Sequence, residues 1–298
     1  MKHKFMTALA LSIGWLGTSA HATPPAAEPP VCAVPVIPQS DIDIRVPFDI
    51  VHGRVYLEAR VNGEGPFRFA VDTGASGWGR ADASLTGALG LPVQGTTETS
   101  DGVSEATVET VRFDTLELGG LVRRDLEVIT RDYSSGAPPE AAFSGIIARQ
   151  FFEDGLLVID FPARTLTFSR SAPPLGEAGS LGYERPFRIP VRIGERLVQG
   201  QLDTGADVTL VLPQALYDDV EASAVASAGN ATLTNTVIES GRGTVRGPVE
   251  IGGISLSEVE VRVSGRYPEL LIGGHVLGDA VVAIDQRSRR VSVCPAGE

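Results

Sequence analysis

Alternating apolar and polar positions recur along most of the chain and predict a protein built mainly from β-strands. Two segments, 113–130 and 247–263, show this alternation on both sides of a Gly-Gly pair. Such a pair tolerates the positive φ values of a tight two-residue turn, so each segment is predicted to form a hairpin, with turns at Gly119-Gly120 and Gly252-Gly253. The pattern indicates an all-β fold.

Three segments break the alternation. Residues 81–88, closed by Gly90, and residues 213–221, with Pro213 in the first turn, have the composition of short helices. Residues 171–180 are rich in Pro, Gly and Ser and show no periodicity, so a linker is predicted there. The chain is therefore expected to form two strand-rich regions of similar size.

These two regions also resemble each other in sequence. FRFAVDTGAS at 67–76 aligns with VQGQLDTGAD at 198–207, and in each an apolar lead is followed by Asp-Thr-Gly-Ala. Later, SGIIARQFFEDGLLVIDFPARTLTF, which begins at Ser144, aligns at a constant offset with ELLIGGHVLGDAVVAIDQRSRRVSV, which begins at Glu269. The composition makes two chance copies of Asp-Thr-Gly improbable, so an internal duplication is predicted.

The N-terminus has the features of a secretory signal peptide. Lys2 and Lys4 precede an apolar run over 5–17, and Ala20-His21-Ala22 is a small-x-small cleavage site. We expect export to the periplasm or secretion. An uncleaved anchor is the alternative, but the run is short for a membrane span, and no later segment has the pattern of one. The mature protein is thus expected to have no membrane anchor.

The predicted organisation has five parts. They are a signal peptide (1–22), a Pro-rich segment (23–45), a first lobe (46–170), a linker (171–180) and a second lobe (181–294). The two cysteines, Cys32 and Cys294, lie near opposite ends of the mature chain. Export would place both in an oxidising compartment, which predicts that they pair; two separate thiols are the alternative.

Charge and residue content exclude several classes of function. The formal net charge is -12 at pH 7, and the only lysines are those at the extreme N-terminus, so nucleic-acid binding is not expected. After signal removal only His52 and His275 remain, without an HExxH or CxxC motif, which argues against a zinc hydrolase. A serine hydrolase would need a GxSxG motif or a comparable arrangement, and none is found.

The two repeated aspartates are the strongest chemical signal. Asp72 and Asp203 each follow an apolar strand and precede a Thr-Gly turn. If a pseudo-twofold axis relates the lobes, these carboxyl groups meet on the axis and hold one proton between them, because they cannot both ionise readily. A glycosidase also uses two carboxyl groups, but it needs them in different surroundings, and the two motifs here are nearly identical.

With these motifs the chain resembles the pepsin/retropepsin-like aspartic proteases, specifically exported bacterial members with two lobes. The resemblance covers nearly the whole mature chain. It implies two pseudo-symmetric lobes with the active site at their interface, where Asp72 and Asp203 activate a water for peptide hydrolysis without metal, cofactor or covalent intermediate. It also implies four supporting residues, an interlocked pair of threonines and two amide donors: Thr73, Thr204, Gly74 and Gly205.

The later repeated block corresponds to the apolar-apolar-Gly signature of the family. Leu271-Ile272-Gly273 fits it, whereas Ile146-Ile147 is followed by Ala148, a departure expected to shift the first lobe slightly and leave the site intact. Both motifs continue with Ala, at 75 and 206, instead of a hydroxyl residue. Without a hydroxyl donor to the ionised pair, activity is expected at weakly acidic to neutral pH.

Further features implied by the resemblance concern substrate binding. Flap hairpins over the cleft are assigned to 96–108, with Asp101-Gly102 at the tip, and to 239–245, around Gly241-Arg242-Gly243; plain turns are the alternative. Trp78 is a candidate cleft residue or a core aromatic. Asp207 and Arg149 are candidates for substrate contact, with local ion pairs as the alternative. Of these residues, Asp207 and Trp78 are taken as the substrate-binding candidates.

Two alternatives to a monomeric endopeptidase acting on peptides or proteins remain at this point. One is a binding or scaffolding protein of the cell envelope that keeps the aspartic-protease fold without turnover. The other is pairing of each lobe with a lobe of another chain, which the short linker disfavours because an intramolecular pair costs less entropy.

Overall fold

The computed structural model describes residues 32–297. The predicted signal peptide and the beginning of the Pro-rich segment lie outside the described residues. Across the described range the chain is mainly β, and the predicted all-β fold class is confirmed. Within residues 32–297, the helices are all too short or too polar to traverse a lipid bilayer.

The first half contributes eleven strands. They are β1 (Ile44–Pro47), β2 (Asp49–Val51), β3 (Arg54–Val61), β4 (Glu64–Asp72), β5 (Gly79–Asp82), β6 (Val93–Ser100), β7 (Glu105–Leu118), β8 (Leu121–Arg131), β9 (Gly145–Ala148), β10 (Leu156–Asp160) and β11 (Thr165–Ser169). The turn between β7 and β8 is Gly119-Gly120, as the alternation predicts.

The second half contributes twelve strands. They are β12 (Leu181–Gly182), β13 (Arg188–Ile193), β14 (Arg196–Leu202), β15 (Leu210–Pro213), β16 (Ala226–Thr232), β17 (Val237–Val245), β18 (Val249–Ile251), β19 (Ile254–Leu256), β20 (Val259–Ser264), β21 (Leu270–Ile272), β22 (Ala280–Asp285) and β23 (Arg290–Pro295). The turn between β18 and β19 is Gly252-Gly253, again as predicted.

Helices are few and short. α1 (Ala83–Leu89) begins after Asp82, whose carboxylate accepts from the Ser84 N–H at 3.0 Å, and it ends at Gly90 in the left-handed conformation. α2 (Gln214–Asp218) is shorter than the sequence predicts and follows Pro213. Four 3₁₀ turns complete the elements: Gln39–Asp41, Pro139–Ala141, Arg149–Phe152 and Gly274–Leu277.

The strands form three sheets. The eight-stranded sheet of the first lobe has the order β2-β3-β4-β9-β5-β8-β7-β6, and the nine-stranded sheet of the second has the order β16-β17-β20-β15-β21-β14-β13-β18-β19. A six-stranded sheet, β1-β11-β10-β22-β23-β12, takes strands from both halves. β10 pairs with β22 in antiparallel register, so the backbone of one half is hydrogen-bonded directly to that of the other.

The same pairing pattern occurs in both lobes. β4 pairs in parallel with β9, and β14 pairs in parallel with β21; β5 and β15 run antiparallel to those same partners. The turns after Asp160 and Asp285 also correspond, since Arg164 and Arg289 both have positive φ, 50° and 55°. The core is a continuous apolar cluster that extends through both lobes.

The ends of the described chain are joined by a disulfide bond. Cys32 and Cys294 are bonded, with their Cα atoms 5.1 Å apart and a sequence separation of 262. The Ala33 N–H donates to the Ser292 hydroxyl at 2.9 Å. The predicted pairing of the two cysteines is therefore confirmed, and it fastens the N-terminal segment to the second half of the chain.

Candidate active site

Both repeated aspartates lie where a buried strand ends. β4 ends at Asp72, which pairs in register with Ala148 of β9. β14 ends one residue before Asp203, and its last residue pairs with Ile272 of β21. Because each motif leaves its sheet at the boundary between the lobes, the two aspartates lie at the lobe interface.

The two motifs are interlocked through their threonines. The Thr73 N–H donates to the Thr204 hydroxyl at 3.2 Å, and the Thr204 N–H donates to the Thr73 hydroxyl at 3.0 Å. Each hydroxyl in turn donates across the interface, from Thr73 to the Leu202 carbonyl at 3.1 Å and from Thr204 to the Val71 carbonyl at 2.8 Å. Both threonines are buried, so these four bonds fix the two loops relative to each other.

The two carboxyl groups lie within hydrogen-bonding range of each other. Each also lies against the glycine of the opposite motif. A Cβ added to Gly74 would be 2.5 Å from Cγ of Asp203, and one added to Gly205 would overlap the Asp72 carboxyl group. The motif glycines are therefore required by close approach, and they let the carboxyl groups face each other.

Backbone amides hold the carboxyl groups in place. The Gly205 N–H donates to Oδ1 of Asp203 at 2.8 Å, as the resemblance implies. In the first lobe the structure differs from expectation, because the donor to Oδ1 of Asp72 is the N–H of Ala75, also at 2.8 Å, and not that of Gly74. The N–H that donates to Asp72 is thus one residue further along the turn than expected.

The environment of the pair favours a protonated Asp203. Removal from water raises the pKa of Asp203 to about 8, and the negative charge of Asp72 acts in the same direction. The hydrogen bond from Gly205 and the positive charge of Arg54 oppose this shift without cancelling it. Asp203 therefore keeps its proton at neutral pH.

Arg54 is a residue that sequence reasoning missed. It begins β3 in the first lobe, and its Nε donates to the Gly205 carbonyl of the second lobe at 2.6 Å. The preceding residue, Gly53, lies against His275 of the second lobe. No periodicity or motif in the sequence marks this contact, since it joins residues 151 positions apart.

The departure at Ala148 is accommodated by the facing loop. In the second lobe a Cβ on Gly273 would overlap the Val208 carbonyl oxygen. In the first lobe the residue that corresponds to Val208 is Gly77, which has a φ of 82°, a conformation that side chains rarely adopt. Ala148 is fully buried there, so the different course of the loop provides space for its methyl group.

The substrate-binding candidates have other described contacts. Asp207 pairs with His275, with 2.7 Å between Oδ1 and Nε2, which agrees with the local ion-pair interpretation. Arg149 instead donates to the Gly74 carbonyl at 3.2 Å, so for this residue that interpretation is wrong. Trp78 packs against the apolar core, with the Arg123 guanidinium 5.8 Å from its ring centroid; a substrate contact for Trp78 stays a prediction.

Of the two assigned flap hairpins, the structure has one as expected. β6 and β7 form a hairpin with residues 101–104 at the tip. The assignment around Gly241-Arg242-Gly243 is wrong, because these residues lie inside the continuous strand β17 and the turn of this hairpin is at 233–236. Gly241 and Gly243 instead lie where a Cβ would overlap Val225 and Tyr217.

The tips of the two hairpins are joined by a cluster that we call the clasp, made of Asp101, Asn235 and Arg131. The Asn235 N–H donates to Oδ2 of Asp101 at 2.7 Å, and its side-chain amide donates to the carbonyls of Thr99 and Ser104 at 3.0 and 2.9 Å. Arg131 of the first lobe donates to Oδ1 of Asn235 at 2.7 Å. The clasp therefore connects the lobes at the hairpin tips.

The surroundings of Asp101 in the clasp favour its charged form. Burial acts to raise the pKa of Asp101, but hydrogen bonds from the N–H groups of Ser104, Asn235, Val103 and Thr236 outweigh it and lower the pKa below its ordinary value. Tyr267 of the second lobe lies beside this tip, with ring atom Cε2 3.4 Å from where a Cβ on Gly102 would be. The clasp thus keeps a charged acceptor over a wide pH range.

Between residues 32 and 297, no three His, Cys, Asp or Glu side chains are grouped closely enough to hold a metal ion. Within this range, the facing carboxyl groups of Asp72 and Asp203 form a pair without a third ligand, and each accepts from one backbone N–H.

Part of the first lobe is similar to a known protein family. Residues 57–161 match the family model described as aspartyl protease. A search of curated proteins finds no match. The matched segment contains Asp72, Thr73 and Gly74, together with the Ile146-Ile147-Ala148 signature and its neighbouring strands. The resemblance inferred from the sequence is therefore confirmed over residues 57–161, which match the aspartyl protease model.

Proposed function

We propose that this protein is an aspartic endopeptidase in which Asp72 and Asp203 act together on one water molecule. The observation that carries the proposal is the contact between the two carboxyl groups, one from each lobe, each lying against the glycine of the opposite motif. The interlocked threonines support it, because they hold both loops in a fixed relation.

The reaction follows from the position of the shared proton. Burial and the negative charge of Asp72 raise the pKa of Asp203 to about 8, so we assign the proton to Asp203 and the role of base to Asp72. Asp72 accepts a proton from the water while the water oxygen attacks the carbonyl carbon of the peptide bond. Asp203 donates a hydrogen bond to the carbonyl oxygen, where negative charge develops. Collapse of the tetrahedral intermediate breaks the C–N bond while Asp72 passes the proton taken from the water to the leaving nitrogen, and the two peptides are released.

The test is removal of either carboxyl group. Asp72→Asn and Asp203→Asn each keep the shape of the side chain, and each is expected to lower kcat on reduced, unfolded casein by at least about a hundredfold. Asp114→Asn is the matched control, since Asp114 is an exposed carboxylate of the first lobe whose side chain is 77% accessible. The control should retain full activity, and all three variants should keep the unfolding temperature of the parent within a few degrees.

The same assay separates the endopeptidase from a binding protein with the same fold. A statine-type peptide mimics the tetrahedral intermediate and should inhibit the parent protein. If the parent binds this peptide but cleaves no unfolded protein, the binding or scaffolding function replaces the proposed one. Activity that survives both Asn substitutions would contradict the dyad.

We also propose that the protein works as a monomer outside the cytoplasm. One chain supplies both carboxyl groups, which supports a monomer, and the Cys32–Cys294 bond supports an oxidising compartment. Mass spectrometry of the protein from a native host, without reductant, should give a chain that begins at Thr23 and carries one disulfide. A cytoplasmic protein that retains Met1 would contradict export.

A further inference from the structure

Two arginines of the first lobe lie beside the candidate site and donate to backbone carbonyls there. Nη1 of Arg80 donates to the Gly79 carbonyl at 3.0 Å, and its Nη2 is 3.5 Å from the Ser76 hydroxyl. Nη1 of Arg149 donates to the Gly74 carbonyl at 3.2 Å. Among residues 32–297, no carboxylate oxygen forms a salt bridge with either guanidinium. We call Arg80 and Arg149 the cation pair.

Two partly buried arginines on the second-lobe side, by contrast, have carboxylate partners. Arg188 binds Glu269 at 2.6 Å and Arg287 binds Asp285 at 2.7 Å, with 21% and 24% of the arginine side chains accessible. Burial lowers the pKa of Arg80 and of Arg149. Because a cation removed from water is costly unless it is paired, the cation pair favours the approach of an anion.

The second lobe has no equivalent of the cation pair. Backbone hydrogen bonds place Arg149 opposite Gly274, since their N–H groups donate to the carbonyls of Ala75 and Ala206, at 3.3 and 3.0 Å. Strand β15 has Val211 at the position of Arg80 in β5. Where the first lobe has Ser76, the second has Asp207 next to His275. The two sides of the site therefore differ in charge.

We propose that Arg80 and Arg149 bind a carboxylate of the peptide substrate on the first-lobe side of the site, next to Ser76. This inference rests on the proposed endopeptidase function. A guanidinium presents a planar set of donors that matches a carboxylate, and an incoming carboxylate would supply the partner that the pair lacks. Ser76 is exposed and offers a further hydroxyl donor. The carboxylate belongs to an acidic side chain close to the scissile bond or to the C-terminus of the substrate.

The charge of Asp72 supplies a competing explanation. Asp72 is close enough for its charge to act on both arginines, and they could serve only to keep that carboxylate ionised. The two roles predict different measurements. A role in ionisation changes the pH dependence of every substrate alike, whereas a binding role changes the preference between a charged and a neutral substrate.

The experiment uses matched peptides with the full-length protein. A series of fluorogenic peptides carries one Glu or one Gln at each position around the scissile bond, with amidated C-termini. At one position the parent protein is expected to cleave the Glu peptide with about tenfold higher kcat/KM, as a single charge-assisted hydrogen-bonded pair supplies. Arg80→Gln and Arg149→Gln should each reduce this ratio towards one, and Arg80→Lys should retain part of it.

Arg112→Gln is the matched control, because Arg112 is an exposed first-lobe arginine with 54% of its side chain accessible; the ratio should stay near ten. A second arm compares free and amidated C-termini on the Gln peptides. A preference for the free terminus that disappears in Arg80→Gln also supports the proposal and identifies the chain end as the source of the carboxylate.

Two results would overturn the proposal. One is a Glu/Gln ratio near one at every position, with no preference for a free C-terminus. The other is a ratio that Arg80→Gln and Arg149→Gln leave intact while they shift the pH dependence of both peptides, which would assign the arginines to Asp72. Cleavage of these peptides that depends on Asp72 keeps the endopeptidase function in either case, whereas no cleavage of any peptide refutes the function itself.

Discussion

The loops that carry Asp72 and Asp203 share their backbone contacts but differ in the side chains around them. Three positions correspond through the pairing of the strands and turns and hold different residues: Ser76 and Asp207, Gly77 and Val208, Arg149 and Gly274. The N–H donors to the carboxyl groups also differ, Ala75 for Asp72 and Gly205 for Asp203. The threonine interlock and the glycine that faces each carboxyl group are the same in both lobes. The geometry of the pair therefore depends on the motif and its backbone, while the neighbouring positions are free to take different chemistry.

The largest expected effect tests the motif glycines, Gly74 and Gly205, which both lobes have. In Gly74→Ala and Gly205→Ala the added methyl group would overlap the carboxyl group of the opposite lobe, so the aspartates must move apart. Each substitution is expected to lower kcat/KM by at least about a hundredfold, comparable to the loss of a positioned catalytic group. Hydrolysis of an unfolded protein measures the loss.

Gly87→Ala is the control for these substitutions. Gly87 lies in α1, with open space where its Cβ would be, so alanine should leave activity unchanged and stabilise the protein by about 0.5 kcal/mol. If Gly74→Ala and Gly205→Ala are as active as Gly87→Ala, the close contact between the lobes at the carboxyl pair is not maintained in solution.

The next largest effect concerns Gly273 of the second lobe and Ala148, which takes its place in the first lobe. Gly273→Ala places a methyl group against the Val208 carbonyl oxygen and is expected to lower the free energy of unfolding by about 2 kcal/mol or more, as overpacking does. Ala148→Gly removes a methyl group from a buried position and should cost about 1 kcal/mol. Urea denaturation measures both. Equal effects would mean that the course of the Gly77 loop does not provide the space at Ala148.

The pH dependence tests the inequality of the two carboxyl groups. The raised pKa of Asp203, about 8, predicts that activity falls as pH rises through that value, because the proton that the carbonyl oxygen needs is lost. The stability contribution has the same sign. Between the ordinary value of 3.8 and about 8 the folded state holds a proton that the unfolded state has released, so this group makes the protein less stable as pH rises.

Two measurements check this sign. The alkaline limb of kcat/KM on an unfolded protein should lie near pH 8, in agreement with the weakly acidic to neutral optimum that Ala75 and Ala206 predict. The unfolding temperature of Asp203→Asn should depend less on pH between 4 and 8 than that of the parent. A parent whose activity is confined to strongly acidic pH would contradict both expectations.

Local patterns in the sequence predict the elements that carry the site, but they do not predict contacts between residues that are distant in sequence. Asp72 and Asp203 were found because a strand-ending Asp followed by Thr-Gly leaves a local signature. Arg54 was missed because its partner lies 151 positions away. The second hairpin tip was misplaced because Gly241 has the composition of a turn, whereas the fold uses this glycine for close packing against Val225.

The smallest expected effect tests whether the two hairpins act as a joined cover. Asn235→Ala removes two side-chain donors and the acceptor for Arg131 from the clasp, and each lost bond costs about 1 kcal/mol. Hydrogen exchange of the amides at 99–104 should quicken several-fold, while kcat changes less than threefold and KM rises. Asn230→Ala is the control, because Asn230 lies on exposed strand β16 of the same hairpin. If exchange quickens equally in both variants, the tips are not held by the clasp, and the two hairpins move independently.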